Sequence, residues 1–148
     1  MTEIVATLFI IASSAALFGY WFRHTCVLIL NTRTARDYAG AFASTNQLSF
    51  LAVQSRLRRR EAGEFDRLRD LLDRDYAVVS SLLKHGANAN ASLETEMLAV
   101  NYRLMKIWYV ASRRISTSTA CKALEEMSMV VSHFANALGE SASASAAA

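Results

Sequence analysis

The sequence contains no proline and only five glycines among its 148 residues. Proline interrupts the interior of a helix and glycine weakens it, so a chain nearly free of both can form long helices. Cysteine is also scarce, because Cys26 and Cys121 are the only two and lie far apart in the sequence. This spacing argues against a disulfide framework and favours reduced thiols in a cytoplasmic domain. We therefore predict an all-α protein.

The net charge of +3 is unevenly distributed along the chain. Residues 1–60 carry seven arginines against two acids, and residues 61–148 carry nine basic and eleven acidic side chains. The distal part is therefore mildly acidic, which gives no reason to expect nucleic acid as a partner. Hydrophobic residues make up 53% of the sequence and charged residues 20%, a balance that excludes a disordered chain.

One long uncharged run lies near the N-terminus, from Ile4 to Phe22. As a helix, its nineteen residues would extend roughly 28 Å, close to the ~30 Å hydrocarbon core of a bilayer. Tyr20 and Trp21 close the run and Arg23 follows, which is the order typical of a membrane–water boundary. We therefore predict a transmembrane anchor with its juxtamembrane segment in residues 1–32, which makes the lipid bilayer one partner.

The sequence leaves three alternatives to a transmembrane anchor that ends at Phe22. A cleaved signal peptide would call for a basic N-terminus, whereas Glu3 is the only charge before the run. A buried helix of a soluble protein could also be this apolar. Finally, Val27–Leu30 resume the apolar character, so the span could extend past Arg23 and leave that side chain to face a partner.

The basic residues near the run predict its orientation. Arg23, Arg33 and Arg36 follow the run, and no lysine or arginine precedes it. The positive-inside rule then places the N-terminus outside and the remaining chain in the cytoplasm, as in a bacterial inner-membrane protein. Ser13 and Ala16 belong to a group of small residues within the run that permits close approach of another helix.

Residues 33–139 are predicted to form an antiparallel bundle of about four helices, because the connections between helical patterns are short. Gly139 is predicted to end the last helix, and residues 140–148 to form a flexible Ser/Ala tail. The last two helices each carry apolar residues in 4-3 alternation, which predicts a buried stripe. The stripes are Leu93, Met97, Val100, Leu104, Ile107 and Ala111 in one helix, and Ala120, Leu124, Met127, Val131, Phe134 and Leu138 in the other.

The earlier part of the bundle is less regular. Residues 40–46 contain weak helix formers, so the segment either breaks there or continues from the membrane helix past residue 55. In the following helix, Asp75 interrupts an apolar heptad pattern that includes Leu68, Leu72 and Val79. Charged residues of both signs, among them Asp66 and Asp73, crowd the opposite face. They include Asp70 and Arg74 in the favourable acidic-first order.

Two groups of residues are candidate partner contacts. Tyr102, Met105 and Tyr109 lie off the predicted buried stripe of their helix and would form a second apolar stripe. The alternative interpretation is a wide core face on a central helix. The second group is a basic run that could bind anionic headgroups, an acidic protein or RNA, or could simply be a solvated helix end; it consists of Arg56, Arg58, Arg59 and Arg60.

No motif indicates catalysis, and we predict no enzyme activity, no cofactor and no metal site. The chain lacks a phosphate-binding glycine loop, a nucleophile elbow and zinc-type cysteine spacing. The sequence therefore favours a membrane-anchored accessory or scaffold subunit that associates with a membrane protein complex or with copies of itself. The alternative is a sensor that holds a ligand, possibly haem, near Met129 and His133.

Overall fold

The computed structural model describes residues 1–32, 37–59, 63–86 and 93–147. Within these ranges the chain forms α-helices and no β-strand, which confirms the predicted all-α fold. The chain divides into two compact units, Met1–Arg33 and Thr34–Ala148. The six helices are α1 (Thr2–Asn31), α2 (Ala39–Thr45), α3 (Phe50–Arg58), α4 (Phe65–Gly86), α5 (Leu93–Ser112) and α6 (Thr117–Ala147).

The first unit is the single helix α1, which continues without a break past Arg23 to Asn31. Its 30 residues correspond to a length of about 45 Å. The hydroxyl groups of Thr7 and Ser13 donate hydrogen bonds to carbonyl oxygens of the preceding turn, as does that of Thr25. These polar groups are therefore satisfied within the helix itself, as a hydrocarbon environment requires. By length and composition, α1 can cross a membrane.

The second unit is organised around α6, which packs against α2, α3, α4 and α5. Its predicted 4-3 stripe is buried at every position, from Ala120 to Leu138. Polar pairs also connect α6 to α5: the Asn101 amide donates to Glu126 over 2.8 Å, and His133 Nε2 lies 2.9 Å from Glu94 Oε1. Because the residue numbers run in opposite directions along these pairs, α5 and α6 are antiparallel.

The predicted end of the last helix at Gly139 is wrong, because α6 continues to Ala147 through most of the predicted tail. Gly139 keeps a helical backbone, so it does not act as a left-handed cap. A Cβ atom at this position would lie 2.5 Å from the Cβ of Tyr38. The Tyr38 N–H also donates to the Asn136 side chain over 2.7 Å. Gly139 therefore makes room for the start of α2.

The chain breaks between Thr45 and Phe50 into two short helices, α2 and α3, which confirms the break that the weak helix formers predict in this region. At the end of α2, the Leu48 N–H donates to the Ala43 carbonyl over 2.9 Å, and Gln47 adopts a φ of 52°. This is the Schellman arrangement, in which a left-handed residue ends the helix. The predicted first bundle helix is thus two helices, and the second unit contains five helices within the described ranges.

Asp75, which interrupts the heptad of α4, is 3% exposed and caps another helix. Its Oδ2 atom accepts the backbone N–H of Ser49 over 2.7 Å, and the Phe50 N–H also faces the carboxylate. These two groups stand at the N-terminus of α3, where backbone N–H groups have no partner within the helix. Burial raises the pKa of Asp75, and the two N–H groups oppose that increase. The neighbouring Leu68, Leu72 and Val79 are buried as predicted.

Candidate interaction surface

The two apolar faces of α5 are reversed relative to the prediction. Tyr102, Met105 and Tyr109 are only 2%, 7% and 1% exposed, so of the two interpretations the structure favours the wide core face over the partner surface. The predicted buried stripe faces outward, with Leu104 42% and Ile107 67% exposed. The first three residues are therefore part of the domain core and do not form a free surface.

The buried face of α5 packs against α6, and a seam of polar side chains also joins α5 to α4. The Tyr102 hydroxyl donates to Asp73 Oδ1 over 2.9 Å, and Lys106 Nζ lies 2.7 Å from Asp73 Oδ2. One heptad away, the Tyr109 hydroxyl and the Arg113 guanidinium both donate to Asp66 Oδ1. The seam therefore contains two similar groups, each made of one aspartate, one tyrosine and one cation. Asp66 and Asp73, on the charged face of α4, thus bind side chains of α5.

The environment of the seam keeps both tyrosines protonated. Burial raises the pKa of the Tyr102 phenol far above its ordinary value, and the Asp73 carboxylate raises it further. Burial and the Asp66 carboxylate raise the pKa of Tyr109 to about 12. Each phenol therefore stays a neutral hydrogen-bond donor to its aspartate, and the Tyr102 ring also stacks on Tyr76 with ring centroids 3.9 Å apart.

The outward face of α5 forms a continuous apolar strip. We name it the α5 stripe. Its residues follow the 4-3 alternation of the sequence, and the indole of Trp108, which is 53% exposed, lies at its edge. Monomeric proteins rarely expose a contiguous row of large apolar side chains, so such a row marks an interaction site. The α5 stripe consists of Leu93, Met97, Val100, Leu104, Ile107, Trp108 and Ala111. Met97 is half-buried and the other six are exposed.

Charges are arranged with opposite signs at the two ends of the α5 stripe. Glu94 and Glu96 lie in the first turn of α5. Arg113 and Arg114 follow its last residue, Ser112. Glu94 already faces His133 and Arg113 already binds Asp66, so Glu96 and Arg114 are the charges that remain for a partner. The helix dipole favours acids at the start and cations at the end, so the arrangement also suits α5 on its own. It gives the stripe one acidic end and one basic end.

The predicted contact residues of α1 lie on a helix with an exposed surface. Tyr20 and Trp21 are 64% and 58% exposed, and Ser13 and Ala16 are exposed as well. Arg23 lies within the helix, two turns before its end, so Val27–Leu30 belong to the same rod. Their insertion into the membrane stays a prediction.

The basic run remains a candidate without further support. Arg56 lies 3.8 Å from Glu64 Oε2, which neutralises part of its charge. Arg58 and Arg59 are exposed at the C-terminal end of α3, and Arg60 lies outside the described residues. Exposed arginines at a helix end are also favoured by the helix dipole, so this position alone does not indicate a ligand.

The two residues predicted for a possible haem or ligand site have different surroundings. His133 faces Glu94, and Met129 lies at the surface in a shallow groove with Gln54 and Arg58. Among the described residues, histidine, cysteine, aspartate and glutamate form no group of three that could hold a metal ion. Among the described residues of the second unit, the α5 stripe thus holds the largest number of exposed large apolar side chains.

No protein-family model, curated protein or solved structure matches the chain. Function therefore has to be inferred from the surfaces themselves. Sequence reasoning missed the outward orientation of the α5 stripe, although a signal was present. Asp66 and Asp73 are seven residues apart, as are Tyr102 and Tyr109, and these equal spacings allow two helices to pair in register.

Proposed function

We propose that the protein is a single-pass membrane-anchored accessory or scaffold subunit that mediates protein–protein association at the cytoplasmic face of a membrane. The observation that carries this proposal is the α5 stripe, an exposed row of large apolar side chains on a domain whose other helices pack around α6. An apolar row of this kind is stabilised when a partner removes it from water, at roughly 25 cal/mol per Å².

The anchor in this proposal is α1. Apolar side chains cover its exterior, for example Phe9 and Phe18, which are 73% and 72% exposed. A lipid environment would remove this surface from water, whereas an aqueous one would leave it solvated. The arginines after the span favour an outside N-terminus and a cytoplasmic domain, as in a bacterial inner membrane.

A matched pair of variants tests the association through the α5 stripe. Leu104 on the stripe and Leu51 on α3 are each 42% exposed, so an aspartate at either position perturbs a comparable environment. We expect L104D to reduce the recovery of associated protein about ten-fold, because a buried interface leaves the new carboxylate without a partner. We expect L51D to change recovery less than about two-fold.

The measurement is the size and composition of the species extracted from native membranes in mild detergent. The wild-type chain should resist an alkaline wash of the membranes and migrate in a species larger than the monomer. Circular dichroism of both variants checks that their helix content is unchanged. A wild-type chain that is released by the wash, or that migrates as a monomer without a partner, would overturn the proposal.

A further inference from the structure

We infer that the α5 stripe is covered by the α5 stripe of a second copy of this chain, packed antiparallel about a two-fold axis. This inference deepens the proposed function and rests on it. It identifies the partner from the spacing of the stripe and from the charges at its two ends.

The spacing of the stripe suits a partner helix. Apolar residues in 4-3-4-3-4 order repeat every 3.5 residues on average, which is the pattern of side chains that interlock in a coiled coil. Tertiary packing inside the domain does not use this pattern, since α5 contacts its neighbours through Tyr102, Met105 and Tyr109 on another face. The heptad of α5 is thus intact and outward-facing, and a helix with a similar row fits it best.

The charges select the direction of pairing. In a parallel pair of α5 helices, Glu96 would face Glu96 and Arg114 would face Arg114, so like charges would meet at both ends. In an antiparallel pair, each acidic end meets the basic end of the other copy. The two helix dipoles are then also opposed, which is favourable. Because one surface supplies both halves, the contact is self-complementary, as a closed two-fold dimer requires.

The register follows from the same residues. Placing Leu104 of one copy opposite Ile107 of the other brings Val100 opposite Ala111. This register also brings Glu96 close to Arg114 of the other copy, twice by symmetry. The apolar positions from Val100 to Ala111 then face one another, and Met97 faces Arg114 at each end of the contact.

Anchoring in a membrane allows a contact of this length to hold two copies together. About three heptads are short for a stable coiled coil between free chains. Anchoring both copies in one bilayer confines them to two dimensions and raises their effective concentration, which strengthens the association without any new contact.

Disulfide formation in liposomes tests the direction of pairing. The full chain carries C26A and C121A, so that only introduced cysteines react. In a mixture of V100C and A111C chains we expect a disulfide between the two different chains, and likewise for L104C mixed with I107C. V100C alone should not form a disulfide, because antiparallel pairing separates its two copies by about 16 Å, beyond the ~7 Å limit between Cα atoms.

A charge reversal tests the ends of the contact. We expect E96R to reduce the disulfide yield of the V100C and A111C mixture about five-fold, because arginines then face each other at both ends. Adding R114E to the same chains should restore the yield to within about two-fold of the unmodified pair, since the opposite charges meet again. A structural effect of E96R on α5 itself would not be repaired by R114E, because the two residues lie at opposite ends of the helix.

The outcomes separate this inference from the proposed function. A disulfide formed by V100C alone would establish parallel pairing and overturn the inference. Absence of disulfides from both mixtures, with the chains inserted in the liposomes, would also overturn it. If L104D still disrupts a complex from native membranes in that case, the partner is a different protein or another helix, and the proposed function stands.

Discussion

Replacing Asp75 with alanine is expected to lower the free energy of unfolding of the helical domain by about 3 kcal/mol. The substitution removes a carboxylate that is 3% exposed and accepts the N–H of Ser49 over 2.7 Å. The Phe50 N–H loses its acceptor as well. Each buried donor without a partner costs about 1–3 kcal/mol, and water cannot replace the carboxylate without opening the start of α3.

Asparagine at the same position is the matched control. Its amide oxygen can still accept the N–H of Ser49. The asparagine side chain is neutral, so it avoids the cost of burying a charge, the same cost that raises the pKa of Asp75. We therefore expect D75N to change the free energy of unfolding by less than about 1 kcal/mol. Urea unfolding of the full chain in detergent micelles, followed by circular dichroism, measures both. Equal losses for D75A and D75N would show that the charge, rather than the capping of α3, stabilises this site.

The second large effect is expected at Gly139. A Cβ at this position would lie 2.5 Å from Tyr38 Cβ and 3.4 Å from the Tyr38 carbonyl oxygen. Cβ is fixed to the backbone, so Tyr38 cannot move aside by a rotamer change, and its N–H is bound to Asn136. We expect G139A to destabilise the domain by about 1–2 kcal/mol, although alanine is the better helix former by about 1 kcal/mol.

Gly40 provides the opposite case in the same part of the domain. It lies within α2, and a Cβ there would meet no atom within 4 Å. We expect G40A to stabilise the domain by about 0.5–1 kcal/mol through helix propensity alone. The two variants add the same methyl group, so opposite signs in urea unfolding identify the contact with Tyr38 as the cause. Stabilisation by both would contradict the close packing of α2 on α6.

The elements with a strong periodic signal could be predicted from the sequence. The uncharged run of α1 and the 4-3 stripe of α6 each depend on their own residues, and a lack of proline and glycine favours helix throughout. For α6 the prediction of which side is buried is also correct, because α6 packs against four helices and almost any apolar face of it is covered. Local pattern and tertiary environment agree in these two helices.

The positions that sequence reasoning missed depend on residues distant in the chain. The apolar spacing of α5 shows that its stripe residues share a face, but not that this face points outward. That orientation depends on the packing of α5 against α6 and on Asp66 and Asp73 of α4, which bind Tyr109 and Tyr102. In the same way, Gly139 indicates a helix end when only its own part of the sequence is considered. Its actual role is to leave space for Tyr38, which is about a hundred residues away in the chain.

The most direct test of the central claim uses the two tryptophans, one in α1 and one at the edge of the α5 stripe. Full chains with W21F or W108F leave a single reporter, and lipids brominated near the headgroup quench only a tryptophan that lies in the bilayer. We predict strong quenching of Trp21 and none of Trp108 in liposomes, because α1 lies in lipid and the α5 stripe faces protein. Quenching of Trp108 would show that the stripe lies on the membrane, and an unquenched Trp21 would show that α1 does not insert; either result would contradict the account.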